Sequence, residues 1–237
     1  FSVGFQIRLD PKISFNFGKT RAVVTLGKAL SSGTISDSSF SVTISKNNNL
    51  NFHFHSLDGK SVKKMTYSTA GGVDFDIFDN LWHQIGFSYD GTGMNGDVKV
   101  YVDGRDVKAR KISEVSFTGP VITPESARLV LASENHTKSQ KGFSGFIDEL
   151  VIFGNVIDAA DWKTISKIKS NSNLSTDGFA TSAKAWWRMG DSLNDDLSAK
   201  PKKGKIVDKI GTGIELSQAG EGSAEVVVAR VFEQQDM

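Results

Sequence analysis

Two adjacent carboxylates, Asp148 and Glu149, are candidates for acid–base chemistry. Retaining glycoside hydrolysis needs two carboxyl groups about 5–5.5 Å apart beside the substrate. In a regular strand, neighbouring residues point to opposite faces, and the positions flanking Asp148 on its own face are the apolar Phe146 and Leu150. The sequence therefore predicts no catalytic pair and no enzyme, and it favours a structural, hydrogen-bonded role for Asp148.

Histidines are the second group of candidates. His53 and His55 share one face of a strand-like run, and Phe52 and Phe54 occupy the other face. Two such histidines can hold a transition metal, but no third ligand is evident, so we interpret them as the solvent-facing side of an amphipathic strand. We expect His83 to be structural. No Ser-His-Asp ordering, P-loop or dinucleotide fingerprint is recognisable.

Composition narrows the class of protein. The 237 residues include 28 Lys and Arg, 27 Asp and Glu, and no cysteine. The near-zero net charge argues against a nucleic-acid partner, and the lack of cysteine excludes disulfide scaffolds and thiol catalysis. No apolar run approaches the about 20 residues of a membrane helix, so we expect no membrane insertion. The basic cluster at 200–205 is interpreted as a solvated loop. Because the chain begins with Phe1, we expect sequence upstream of it.

Period-two alternation dominates the first two thirds of the chain. Apolar residues alternate with small or polar ones near the N-terminus, at 50–54 and at 98–102, and turn residues separate these short runs. Asp103-Gly104 is the best two-residue hairpin signal. The pattern predicts an all-β fold, an antiparallel sandwich.

One helix interrupts the strands. Asp158 can cap its first turn, and Trp162, Ile165 and Ile168 share a face. We expect about three turns that pack on the rim of the sandwich as a structural cap.

The remaining chain divides into two parts. Residues 171–184 are small, polar and aperiodic, which indicates a linker after a sandwich at 1–170. Residues 185–237 are too few for a stable independent core and predict a β appendage that ends in a strand at 224–232. The adjacent Trp186 and Trp187 face opposite ways in a strand, so one of them is a candidate interface anchor.

Three motifs in order resemble laminin-G-like and pentraxin-like domains. They are a Trp82-His83 strand, a strand with Tyr101-Val102-Asp103-Gly104, and a closing strand at 142–153 followed by a short helix; the opening strand at Phe1–Phe5 agrees with them. The resemblance implies a concanavalin A-like jelly roll, a fold that carries lectins, receptor modules, structural modules and some glycosidases.

The same resemblance suggests a calcium loop. Glu134, Asn135 and His136 correspond to a pentraxin loop in which Glu, Gln and Asp bind calcium, and His136 replaces the Asp. Imidazole is a poor calcium ligand. If calcium binds, we expect Glu134 and Asn135 to be its ligands, together with Asp74 and Asp76 of an acidic loop.

The segment 186–191, Trp-Trp-Arg-Met-Gly-Asp, resembles openings of laminin-G-like repeats in phage structural proteins. Here it follows the sandwich, so it either starts a second repeat or supplies an outer strand. The sequence thus predicts a non-enzymatic virion structural, decoration or appendage protein, homo-oligomeric among other assembly proteins, that adheres to host surface glycans. The alternative is an extracellular or cell-surface lectin-like module that binds carbohydrate or a receptor, with calcium as its candidate cofactor.

Overall fold

A computed structural model describes residues 1–9, 20–29, 35–45, 47–58, 61–72, 74–91, 98–113, 119, 121–122, 127–132, 145–167, 178–179, 182–188, 205–207 and 215–217. The strands are β1 (Ser2–Leu9), β2 (Arg21–Ala29), β3 (Ile35–Ile44), β4 (Leu50–Asp58), β5 (Ser61–Ser68), β6 (Trp82–Tyr89), β7 (Val98–Val102), β8 (Arg105–Asp106), β9 (Arg110–Lys111), β10 (Ala127–Leu131), β11 (Gly145–Phe153), β12 (Ala183–Trp187), β13 (Lys205–Val207) and β14 (Glu215–Ser217), and the helix is α1 (Ala159–Ile165). Within these ranges, no helix has the length and apolar character that crossing a membrane requires.

Two antiparallel sheets face each other in the described part of the chain. The first has the strand order β12-β11-β1-β6-β7-β8 and the second β10-β2-β3-β4-β5-β9, while β13 pairs with β14. The predicted antiparallel sandwich is confirmed. The predicted hairpin between β7 and β8 is confirmed as well, because Asp103 and Gly104 have φ of 51° and 73°, which such a turn requires.

Aromatic rings fill the space between the sheets. The ring of Phe87 in β6 lies with its centroid 5.5, 5.4 and 5.7 Å from those of Phe40, Phe52 and Phe54. These three rings come from β3 and β4 of the opposite sheet, so the contact joins the two layers. The two histidines of β4 therefore lie on the outer face of the second sheet, as the alternation predicts.

The helix differs from the prediction in length and position. Asp158 caps it as predicted, and its Oδ1 accepts hydrogen bonds from the N–H groups of Ala160 and Asp161. However, α1 has seven residues, about two turns, and Ile168 lies outside the described residues. The helix also packs on the outer face of the first sheet and not on the rim, because Trp162 packs on a flat region of that face, which serves as its seat.

That seat consists of two glycines paired across β1 and β6. Gly4 lies opposite Gly86, and a Cβ atom on either would come within 2.8 or 2.7 Å of the Trp162 ring. The ring is fully buried, and its Nε1 donates a hydrogen bond to Ser88 Oγ at 3.0 Å. The glycine pair thus makes room for the indole.

The C-terminal segment contributes an edge strand to the first sheet. β12 pairs with β11 and begins at Ala183, inside the predicted linker. Trp187 enters the core between the sheets and Trp186 packs under α1, with 1% and 3% exposure. The chain itself buries both rings, so neither offers the exposed surface that an interface anchor needs. Residues 171–177, most of the basic cluster and the run at 224–232 lie outside the described residues.

Replacing Gly86 with alanine should destabilise the fold. The added methyl would collide with Trp162, and overpacking of this kind costs about 3 kcal/mol of unfolding free energy. Urea denaturation measures the loss. In a Trp162→Ala background the same glycine substitution should cost less than about 1 kcal/mol, and an equal cost in both backgrounds would show that the ring does not select the glycine.

Candidate functional site

The outer face of the first sheet is only partly covered by α1. Beyond the helix, the register pairs Arg8 of β1 with Trp82 of β6 on one side and with Phe146 of β11 on the other. Three neighbouring strands thus place these side chains in one line across the sheet. We call Arg8, Trp82 and Phe146 the aromatic–arginine row.

The guanidinium group lies between the two rings. The Cζ atom of Arg8 is 4.6 Å from the ring centroid of Phe146 and 5.8 Å from that of Trp82, both within cation–π range. Trp82 is 36% exposed, and the adjacent Leu81 is 62% exposed. The row therefore presents aromatic surface beside a cation whose position is fixed.

An amide row lies next to it. Gln6 of β1 pairs with Gln84 of β6 and with Asp148 of β11. Gln84 is 7% exposed, and neither polar atom of its side chain has a hydrogen-bond partner in the described chain. A cavity of about 20 Å³ beside it, lined in part by Gln6 and Glu149, has room for about one water molecule or hydroxyl group. A ligand hydroxyl there would relieve the cost of an unpaired buried amide.

A β-bulge corrects the expectation for Glu149. The register of β11 against β1 shifts between Gly4 and Gln6, and Glu149 adopts a φ of 50°. This extra residue breaks the alternation, so Glu149 joins Asp148 on the outer face while Leu150 enters the core. The sequence argument that strand geometry separates the two carboxylates is therefore wrong. The expected hydrogen bond of Asp148 is present, because its Oδ1 accepts one from the backbone N–H of Glu149.

Glu149 is held by two donors from the edge of the sheet. Trp186 Nε1 donates to its Oε2 at 2.6 Å, and Arg188 Nε donates to its Oε1 at 3.2 Å. Its side chain is 12% exposed. Burial and the neighbouring charge of Asp148 raise the pKa of Glu149 to about 8, against the lowering effect of Arg188 and Trp186.

His83 lies between two carboxylates at one end of β6. Its Nδ1 is 2.8 Å from Asp103 Oδ2 and its Nε2 is 2.9 Å from Asp79 Oδ1. Asp103 Oδ1 also accepts a hydrogen bond from the N–H of Gln84, which ties the β7–β8 turn to β6. The hydrogen bonds to Asp103 and then to Asp79 raise the pKa of His83 to about 9, against the effect of burial. Both nitrogens are engaged, so the geometry supports the predicted structural role.

Of the residues nominated for calcium, the structure describes Asp74 and Asp76. Asp74 and Asp76 are exposed, and Asp76 Oδ1 accepts a hydrogen bond from the N–H of Phe78 within its own turn. Glu134, Asn135 and His136 lie outside the described residues. The described ranges contain no group of three or more His, Cys, Asp or Glu residues that could hold a metal ion.

His53 is paired with hydroxyl groups on the outer face of the second sheet. Its Nε2 lies 3.1 Å from Thr43 Oγ1 and its Nδ1 lies 3.0 Å from Thr66 Oγ1. Burial, and then the charges of Lys64 and His55, lower the pKa of His53 to about 3. It is therefore a neutral, hydrogen-bonded side chain between three strands.

A family comparison agrees with this architecture. Residues 13–161 match the laminin G family model described as the concanavalin A-like lectin/glucanases superfamily. The chain belongs to this superfamily. The predicted laminin-G-like relationship is confirmed at this level, and so is the predicted concanavalin A-like jelly roll. A comparison with curated protein sequences finds no match.

Solved structures with a similar course of the chain include the CBM40 of the Ruminococcus gnavus IT-sialidase, at 9% identity and a TM-score of 0.45, over 70% of this chain and 81% of that one. The same CBM40 bound to alpha2,3 sialyllactose gives 10% identity, a TM-score of 0.46 and coverage of 70% and 82%. The receptor-binding domain of botulinum neurotoxin mosaic serotype C/D has 14% identity and a TM-score of 0.44, over 73% of this chain and 37% of that one.

The ionised His83 should make stability depend on pH. Its pKa is about 9 in the folded chain and about 6.5 when unfolded, so its contribution is complete below pH 6.5 and is lost as pH rises to 9. Between pH 6 and pH 9 the unfolding free energy should fall by about 3 kcal/mol more in the native chain than in His83→Gln. Glu149 also titrates in this range in both proteins, so its contribution to the pH dependence of the unfolding free energy cancels in the comparison. Equal pH slopes would contradict the assignment.

Proposed function

We propose that the chain is a non-enzymatic carbohydrate-binding module and that the aromatic–arginine row, with the adjacent amide row, is its glycan site. The observation that carries the proposal is the guanidinium of Arg8 held between two rings on a part of the sheet face that the described helix does not cover. Membership of a superfamily named for lectins and glucanases supports it.

The chemistry of the two rows suits a sugar. A pyranose ring has apolar C–H surface that packs on exposed aromatic faces such as that of Trp82, and hydroxyl groups that need donors and acceptors. Arg8 supplies guanidinium N–H donors that lie in one plane, and the amide groups of Gln6 and Gln84 both donate and accept. Pre-ordered side chains of this kind lose little conformational freedom on binding.

The state of the carboxylates supports binding without turnover. Asp148 and Glu149 share the outer face, but both oxygens of Glu149 accept hydrogen bonds from Trp186 and Arg188, and 12% of its side chain is exposed. A general acid must reach the glycosidic oxygen of its substrate. A carboxyl group enclosed by its own sheet edge is poorly placed for that.

The context in which such a module would work stays a prediction from the sequence. A virion location, homo-oligomers and other assembly proteins as partners depend on the resemblance at 186–191, and an extracellular or cell-surface location is the alternative. A calcium requirement depends on Glu134 and Asn135.

A glycan array followed by titration with the best ligand tests the proposal. Arg8→Ala and Trp82→Ala should each weaken binding at least tenfold, because each removes an anchor of the row. Arg110→Ala and Ile112→Ala, an arginine and an apolar residue that are also exposed, are matched controls and should bind as the native chain does.

Two results would contradict the proposal. The first is native-like binding by both row variants with unchanged melting temperatures. The second is chromatographic release of shorter sugars from the bound glycan, since that would make the protein a hydrolase. Repeating the titration with a calcium chelator tests the calcium expectation separately.

A further inference from the structure

A second concave surface lies on the opposite side of α1. It is a groove of about 350 Å³ between the outer face of β6 and β7 and the chain that leads into the helix at 156–160. This volume falls within the range of about 300–1,000 Å³ typical of small-molecule sites. The groove shares no residue with the aromatic–arginine row or the amide row.

Tyr101 provides an unused polar group in this groove. The residue is 2% exposed, and its ring lies 5.9 Å from that of Trp162 at 31°. Its hydroxyl makes no hydrogen bond to the part of the chain that the structure describes, and Tyr101 lines the groove. Burial, and then the charges of Asp106 and Asp158, raise the pKa of Tyr101 to about 12. The hydroxyl therefore stays protonated and can donate a hydrogen bond.

The walls of the groove combine apolar and charged groups. Val156, which is 47% exposed, and Ile157 form an apolar side, and Asp90, Lys99 and Asp158 supply charges. The groove therefore brings two carboxylates, an ammonium group and a phenol hydroxyl into one space.

The charges disfavour an anionic ligand. Two carboxylates against one ammonium group repel an anion, and the first N–H groups of α1 are occupied by Asp158. Lys99 lines the same groove and lowers its attraction for a cation. A neutral ligand with several hydroxyl groups can donate hydrogen bonds to carboxylate oxygens and accept them from the ammonium and phenol groups.

We propose that this groove is a second binding site, which takes one neutral sugar residue with its apolar face on Val156 and a hydroxyl on Tyr101. The class of ligand rests on the proposed function, but the site itself is separate. A chain with both sites could bind one branched glycan, or two glycans, on opposite sides of one helix. Two linked sites bind a multivalent ligand more tightly than either site alone.

Nuclear magnetic resonance of the ¹⁵N-labelled full chain tests the site with the methyl glycosides of glucose, galactose, mannose and N-acetylglucosamine. At least one should shift the amide signals of residues 99–101 and 156–160. Tyr101→Phe removes only the hydroxyl and keeps the ring on Trp162, and it should weaken this binding about five- to tenfold. Trp82→Ala should leave the groove shifts unchanged.

The proposal is overturned if no methyl glycoside shifts these signals at saturation, or if Tyr101→Phe binds as tightly as the native chain. It is also overturned if ethylammonium chloride shifts them and the sugars do not, since the groove would then be a cation site. These failures differ from failure of the proposed function, which is measured by array binding of Arg8→Ala and Trp82→Ala.

Discussion

The seat of Trp162 on the paired glycines Gly4 and Gly86 is the contact on which the outer face of the first sheet depends. A bare sheet face would leave a helix of two turns without enough buried surface to form. The indole closes a small second core, where Tyr101 and Phe153 pack against it. The helix thus divides the face into the two surfaces that we interpret as binding sites.

A buried polar network fixes the helix at that position. Ser88 Oγ accepts the Trp162 indole hydrogen bond, lies 2.9 Å from Ser2 Oγ, and donates to the carbonyl of Ile157 at 2.7 Å. The N–H of Ile157 in turn donates to Ser2 Oγ at 2.8 Å. Because these groups come from β1, β6 and the segment before α1, the network allows one docking position and positions both surfaces relative to the sheet.

The alternation of apolar residues and the chemistry of the turn residues were enough to predict the sandwich, the cap at Asp158 and the hairpin at Asp103 from the sequence. Each of these is a local pattern with a local physical cause. The aromatic–arginine row is different, because Arg8, Trp82 and Phe146 become neighbours only through the register of three strands that are far apart in the chain. The bulge at Glu149 could not be predicted from local sequence either, because it arises from the register of β11 against β1. It reversed the expectation for the orientation of that carboxylate.

The most direct measurement uses the indole N–H signals of the four tryptophans in a ¹⁵N-labelled chain. On addition of a glycan that the protein binds, we expect the indole signal of the partly exposed Trp82 to move, while those of the buried Trp162 and Trp187 stay in place. A stationary Trp82 signal, together with shifts of the backbone amides around His53 on the second sheet, would contradict it.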